Sequence, residues 1–402
     1  MRIAVVTTCY SEGMGYTENC LPKALAELGH DVHVLTSNLN VYGNQEDYDE
    51  TYGAFLGPAN QGTGRFGCDG YTVHRLPSGR VGGYRYLRGL ATRIREVKPD
   101  IVHCTEVASL QAFQLAALRL VARFPLFTEN HQHLSVIRPY MKDPGGPFLK
   151  RVFFRLTRTA PTWIASAAME RCYAMSPDCV LVATRYYGVP ARKLRLRPLG
   201  TDTTLFRPAT TPEDVARRAN LRQEWGCGPD DTVCIYTGRL SDAKNPLLLA
   251  RAVETLADRR PPYRSLFVGE GSQKTSIAAC RNARVLPFTR HQDLAALYQA
   301  ADIAVWPRQE SMSMLDATAA GLPIVVSDAI GEPARVTGNG LMYRENSVAD
   351  LARALASLSD AADRRSFGAR GRAKMVQNYS WAAIARSVEG DFLEALGRPY
   401  SG

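Results

Sequence analysis

The sequence predicts an α/β chain made of two doubly wound domains facing each other across a cleft, and three observations predict it. A strand–helix–strand rhythm runs through the first half of the chain. The rhythm restarts past residue 230, and 402 residues suffice for two domains of ordinary size. Alternating strands and helices imply parallel sheets with helices on both faces.

In the first domain, a strand spans Arg2–Thr7 and a loop with two glycines spans Thr8–Gly15. A helix over Tyr16–Leu28 sets Leu21, Ala24, Leu25 and Leu28 on one face, and Gly29 ends it. Further strands follow at Val32–Thr36, Ile101–His103, Leu126–Thr128 and Leu194–Arg197. In the second domain, strands are predicted at Thr232–Tyr236, Ser265–Val268, Val285–Phe288, Ile303–Trp306 and Ile324–Ser327. Helices are predicted at Pro246–Ala257, Asp293–Ala300, Ser313–Ala320 and Ala349–Ser357. The linker Leu205-Phe206-Arg207-Pro208 divides the chain into domains of residues 1–203 and 204–379. The stretch Asn38–Gly83, rich in Gly, Asn and Tyr, breaks the rhythm and reads as a surface excursion or an acceptor-binding loop.

Composition narrows the function classes. A hydrophobic share of 45% with 22% charged residues is that of a globular protein. The sequence has no apolar run long enough to span a bilayer and no signal-peptide pattern at Met1–Thr7, so a cytoplasmic location is expected. Nine cysteines, with no Cys-x-x-Cys pair, argue against a disulfide framework and a structural zinc site. The net charge of +10 points to anionic partners. No basic-aromatic motif accompanies it, so nucleic acid is not expected. Within Pro147–Trp163, Lys150, Arg151, Arg155 and Arg158 alternate with Phe148, Leu149, Phe153, Phe154 and Trp163. That pattern suits a core helix with a solvated basic face or a peripheral contact with the inner membrane face.

Ligands of doubly wound sheets bind beyond the carboxyl ends of the strands, and four groups of residues lie there. In Glu12-Gly13-Met14-Gly15, the glycines Gly13 and Gly15 suit either a phosphate approach or a tight turn. The run Gly238-Arg239-Leu240-Ser241-Asp242-Ala243-Lys244-Asn245 puts two cations on one loop, where both can face a diphosphate. The run from Trp306 to Pro323 places Glu310, Ser311, Met312, Ser313 and Asp316 between a strand and a helix, suited to sugar hydroxyls or phosphate. In Glu129-Asn130-His131-Gln132-His133, the histidines suit a metal, proton transfer or a sugar hydroxyl. Too few further ligands lie near to favour a metal.

Together these places resemble glycosyltransferase family 4, the retaining nucleotide-sugar transferases of the GT-B fold. The matching segments are the Gly13–Gly15 loop, Leu28-Gly29-His30, Pro125 to His131, and Gly200-Thr201-Asp202 with Phe206. They continue with Gly238-Arg239 to Lys244-Asn245, Val268-Gly269-Glu270-Gly271-Ser272, Ala301 to Pro323, Asn339-Gly340-Leu341 and Tyr379-Ser380-Trp381. The resemblance implies a final helix over 380–397 that crosses back onto the acceptor-side first domain. It implies that Arg239 and Lys244 bind the donor diphosphate, that Gly13 and Gly15 bring amides to it, and that His131 contacts the transferred sugar. Gly238 opens the diphosphate loop. Glu310 and the amides of Ser311, Met312 and Ser313 would hold sugar hydroxyls or phosphate, and Asp316 the ribose. Gly269, Gly271, Leu286 and Phe288 would lie near the base.

The implied reaction is retaining transfer from a UDP- or GDP-linked sugar with no metal and no other cofactor. The acceptor would be a soluble small molecule of specialised metabolism, with a lipid-linked or polysaccharide acceptor as the alternative, and a sugar-nucleotide epimerase as the second. Two departures from the family pattern stand out. The family has two glutamates separated by seven residues, whereas Glu310 and Asp316 are separated by five, and an ungapped match puts Arg308 in the first position. The family also has Asn-Gly-Val-Asp where this chain has Leu199-Gly200-Thr201-Asp202.

Overall fold

The computed structural model describes residues 1–81, 84–134, 137, 152–259, 262–308 and 311–399. The chain divides into two compact units, Met1–Leu199 with Ile384–Gly402, and Gly200–Ala383. The boundary between Leu199 and Gly200 falls four residues before the one read from the linker.

The first unit contains β1 Arg2–Val6, α1 Thr17–Glu27, β2 Asp31–Ser37, β3 Gly64–Cys68 and β4 Tyr71–Leu76. It continues with β5 Ser78–Val81, β6 Tyr84–Leu87, α2 Leu90–Val97, β7 Ile101–Cys104, α3 Leu110–Leu118 and β8 Leu126–Asn130. Next come α4 Ala160–Ser166, β9 Arg171–Ala174, α5 Pro177–Arg185 and β10 Leu194–Leu196. Eight strands form one sheet in the order β10-β9-β8-β7-β1-β2-β4-β3. All pair in parallel except β3 with β4, and β5 and β6 form a separate hairpin. Strands β7 and β8 are buried along their whole length, as strands covered on both faces are, and they carry buried polar residues, His103 on β7 and Thr128, Glu129 and Asn130 on β8.

The Asn38–Gly83 stretch is more than a surface excursion. It supplies β3, β4 and β5, and β4 is buried over most of its length, reaching the sheet through a parallel pairing with β2. Its tyrosines pack on one another, with Tyr42 stacked on Tyr52 at 4.7 Å and its hydroxyl 2.6 Å from that of Tyr16.

The second unit contains α6 Pro212–Glu224, β11 Thr232–Thr237, α7 Leu247–Glu254, β12 Tyr263–Val268, β13 Ala283–Leu286 and α8 Leu294–Ala300. Then come β14 Ile303–Trp306, α9 Ser313–Ala319, β15 Ile324–Ser327, β16 Gly340–Tyr343, α10 Val348–Ser357 and α11 Ala361–Lys374. Its six strands are all parallel, in the order β13-β12-β11-β14-β15-β16. Read from the first strand of the unit, this is the dinucleotide-fold order 3-2-1-4-5-6, with the switch point between β11 and β14. A capping box at Thr211 and Asp214 starts α6, and Ser347 caps α10.

The last helix, α12 Trp381–Ala395, belongs to the first unit from Ile384 onward. There Phe392 sits edge-on to Phe127 at 4.7 Å, and Asp391 accepts from Tyr173 at 2.8 Å and from Arg195. Truncating such a buried phenylalanine to alanine costs about 3–5 kcal/mol. Among the described residues no helix is long and apolar enough to cross a membrane.

Candidate active site

In the second unit the residues predicted to hold a diphosphate stand at the carboxyl edge of the sheet, beside the switch point. The loop after β11 carries Gly238, exposed Arg239 and half-buried Lys244. Its shape is fixed from three sides. Below it, the buried Tyr236 hydroxyl donates to the Arg239 carbonyl at 2.9 Å. Within it, the Lys244 and Asn245 amides return to the Ser241 carbonyl at 3.0 and 2.8 Å. Beside it, buried Gln273 donates to Asp242 at 2.8 Å and accepts from the Leu247 amide at 3.0 Å.

The loop after β12 runs against this one. The Leu240 amide donates to the Glu270 carbonyl at 2.8 Å, and the Gln273 amide to the Leu240 carbonyl at 2.9 Å. Gly269 and Gly271 sit in this contact at φ +147° and +149°. A Cβ on Gly269 would lie 2.1 Å from the Gly238 carbonyl oxygen, and one on Gly271 2.5 Å from that of Leu240. Both positions therefore require glycine, for a reason internal to the fold. The strand predicted at Val285–Phe288 runs instead over Ala283–Leu286, which leaves Phe288 two residues past its end and 37% exposed at the same edge.

Glu310 lies outside the described residues. Ser311 and Ser313 stand next to that point, their hydroxyls 2.8 Å apart, with Met312 between them at the cap of α9. Arg308 pairs with Glu345 at 3.2 Å. Asp316, in the first turn of α9, is 5% exposed. One of its oxygens accepts from the Thr201 hydroxyl at 2.7 Å, and the other is 3.1 Å from His291 Nε2. Burial would lower the His291 pKa, but the bond to Asp316 and the charge behind it raise it above the usual value. Thr201 and Asp316, one from each of the two segments that depart from the family pattern, thus touch each other.

In the first unit, a cavity of 430 Å³ opens at the carboxyl ends of β1, β7 and β8, where the strand order reverses between β1 and β7. His131 borders it, as do Thr8, Glu18, Glu106 and three arginines, Arg80, Arg85 and Arg158. Thr8 donates to Glu106 at 2.6 Å. His131 Nε2 lies 2.6 Å from Glu129, whose other oxygen is 2.6 Å from His103 and also accepts from Arg197. Glu129 is fully buried. Burial alone would push its carboxyl up, but Arg197 and the two histidines outweigh that and hold it well below the usual range. An ionised Glu129 fixes the His131 ring with a proton on Nε2 and leaves Nδ1 as the acceptor in the neutral ring.

Glu18, in the first turn of α1, has its carboxyl raised to about 7, chiefly by burial, with the charges of Glu106 and Glu129 adding to it and His131 opposing. Arg85 reaches Ser78 and Asn44 through its terminal nitrogens, at 2.6 and 3.2 Å, while its Nε is buried without a hydrogen-bond partner among the described residues. Arg158 lies over the Tyr84 ring at 3.8 Å and donates to the Ala108 carbonyl at 2.6 Å.

Other predicted residues lie elsewhere. Gly13, at φ +73°, and Gly15 form the turn into α1 and do not border the cavity, and His133 sits 3.2 Å from Asp178 instead. No group of three potential ligands among the described residues could hold a metal ion. The sequence gives Glu129 only as the acid flanking the two histidines and assigns no role in the site to His103, Arg197, Glu18 or Gln273. Only Glu129 carried a signal, an acid on the same strand end as His131.

Two family models match the chain, Glycosyltransferase Family 4 over residues 20–205 and Glycosyl transferases group 1 over residues 231–361. The D-inositol 3-phosphate glycosyltransferase of Corynebacterium aurimucosum is 33% identical over 330 residues, covering 76% of this chain and 74% of that protein. The protein of the same description from Streptomyces griseus is 28% identical over 326 residues, covering 74% and 67%. Among solved structures, sucrose-phosphate synthase from Thermosynechococcus elongatus matches with a TM-score of 0.68 at 18% identity, covering 99% of this chain and 100% of that one. Anabaena Alr3699/HepE in complex with UDP-glucose matches with a TM-score of 0.65 at 17% identity, covering 98% and 99%. At such identities the structural likeness speaks for the fold alone.

Proposed function

We propose, from the premise that the chain belongs to glycosyltransferase family 4 and has the GT-B fold, that this glycosyltransferase moves a sugar from a UDP- or GDP-linked donor onto a small, polyhydroxylated, anionic acceptor with retention at the anomeric carbon. The observation that carries the donor half is the loop holding Arg239 and Lys244, braced by Tyr236 and Gln273 at the switch point of a dinucleotide-type sheet. Two cations on a rigid loop are preorganised for a departing diphosphate, and removing one such interaction costs about 2.7–4 kcal/mol of transition-state stabilisation. A fixed pair of cations can neutralise that charge without a divalent metal, and none is assigned. The exposed ring of Phe288 offers the base an apolar face, and a fold neighbour was solved with UDP-glucose.

The acceptor half rests on the cavity in the first unit. Its 430 Å³ suit a small molecule, its arginines suit an anionic substituent, and Thr8, Glu18 and Glu106 offer groups for hydroxyls. The curated relatives named D-inositol 3-phosphate glycosyltransferase fit that chemistry. In the reaction the bond from the anomeric carbon to the diphosphate oxygen breaks and a bond to the acceptor oxygen forms. The acceptor proton passes to the leaving phosphate, and no enzyme nucleophile is assigned. His131, oriented by Glu129, contacts the transferred sugar. Nine free cysteines suit a reducing, cytoplasmic setting.

The test is a thermal-shift series with UDP, GDP, ADP and dTDP in the absence of metal. A ligand at one hundred times its dissociation constant adds about 2.7 kcal/mol. One diphosphate should stabilise the protein selectively, and Lys244→Ala should remove both that shift and turnover while the protein melts as before. A Lys244→Ala enzyme with unchanged turnover would sink the assignment.

A further inference from the structure

One helical face of the first unit is apolar and open. Residues 152–166 form a continuous helical run, with a wider π turn over Arg155–Thr159 leading into α4. One side of the run packs inward through Phe154, Thr162, Ala165 and Ser166. The opposite side presents Phe153, Leu156, Trp163 and Ile164, which are 60%, 66%, 62% and 65% exposed. Single exposed apolar residues are ordinary, but four large ones on one helix side, a tryptophan among them, mark a contact surface.

The charges around this face indicate what covers it. Between Pro144 and Met169 the sequence contains no Asp or Glu. Arg155 is exposed on the run itself. Exposed Arg185, at the end of α5, adjoins it, since Thr159 donates to the Tyr186 carbonyl at 2.6 Å. Exposed Arg192 stands next to Lys193, whose ammonium donates to the carbonyls of Ser166, Ala167 and Met169 at the end of α4. The first acid past the run, Glu170, is paired with Arg119 at 3.0 Å. An apolar stripe with an aromatic anchor, ringed by cations, matches an anionic lipid surface: apolar side chains enter the acyl boundary while arginines meet the headgroups. A protein partner or a second copy would need an acidic rim to complement the same cations.

We infer that the first unit docks on anionic bilayers through the face formed by Phe153, Leu156, Trp163 and Ile164 with Arg155, Arg185 and Arg192 around it. This surface lies outside the cavity and does not rest on the proposed donor or acceptor. It sets where the enzyme works rather than what it transfers.

The experiment is vesicle co-sedimentation of the full chain with equimolar phosphatidylglycerol and phosphatidylcholine, against phosphatidylcholine alone. The parent should partition about tenfold or more in favour of the anionic vesicles, and raised salt should weaken this. Trp163 emission should shift to the blue on binding. The triple variant Leu156→Gln, Trp163→Gln, Ile164→Gln should lose about tenfold or more in partitioning. Its melting temperature should be unchanged, because these side chains leave the core intact. Failure of the parent to bind, equal binding to both vesicle types, or full binding by the folded triple variant would each overturn the proposal. Light scattering separates the rival: a dimer of the parent that the triple variant dissolves, without vesicle binding, assigns the face to self-association instead.

Discussion

Glu129 shows how one fully buried side chain can hold several others in place. Its oxygens are shared among His131, just past β8, His103 on β7, and Arg197, just past β10. Glu129→Gln leaves the buried Arg197 charge uncompensated, a loss of about 3–5 kcal/mol. It should lower the melting temperature by about 6 °C or more, and an unchanged melt would refute the cluster. The group also fixes a pH dependence. Its folded pKa is depressed, so its contribution is present above its unfolded value of 4.5 and is lost as pH falls below that. Glu18 has the opposite sign. Its folded pKa is raised from 4.5 to about 7, so the folded state holds the proton more tightly and stability falls as pH rises through that window. Glu18→Gln should therefore melt higher than the parent at pH 8, by a margin that shrinks toward pH 5; a margin independent of pH would contradict the assignment. The contact between Thr201 and Asp316 joins one residue from each segment that departs from the family pattern. The residue types at both positions were plain in the sequence, but their pairing across 115 residues was not.

At the scale of elements, strand ends set the chemistry. The loops after β11 and β12 approach so closely that Gly269 and Gly271 have no room for a side chain. Gly269→Ala should cost on the order of 1–3 kcal/mol through strain and should weaken stabilisation by the donor diphosphate. A variant that melts and binds like the parent would show that the loops tolerate separation. The family resemblance implies that these glycines lie near the base, and the structure gives them in addition a packing duty within the sheet edge. Helix α12 is the other element whose role depends on distant partners. Deleting residues 384–402 removes Ile384, Ala385, Val388 and Phe392 from the core of the first unit and strips Tyr173 and Arg195 of Asp391. Phe392 alone accounts for about 3–5 kcal/mol. The truncated chain should lose cooperative melting of the first unit, and a soluble, cooperatively melting product would refute this.

At the scale of the molecule, one largely parallel and one wholly parallel sheet each place candidate groups beyond the carboxyl ends of their strands, near the point where strand order reverses. This much was legible in the sequence, because periodicity, capping residues and glycine-bearing turns are local signals. Five of the six strands of the second unit lie within a few residues of their predicted places, since parallel strands buried on both faces are written as unbroken apolar runs, whereas β16, opened by Gly340, reads as a turn. Strands β3 and β4 were not found, because their glycines, polar residues and tyrosines read as a loop until parallel pairing with β2 gives β4 a buried environment. By itself the sequence determined the two-unit α/β plan, the loop of Arg239 and Lys244, and His131 at a strand end. Only the tertiary structure decided which side chains meet: Glu129 with His103 and Arg197, Gln273 with Asp242 in the loop of Arg239 and Lys244, Thr201 with Asp316, and the arginines around the cavity. The physical reason is separation along the chain. Hydrogen bonding and desolvation act over a few ångströms, and which residues come within that range is set by sheet order and register, which no local pattern records.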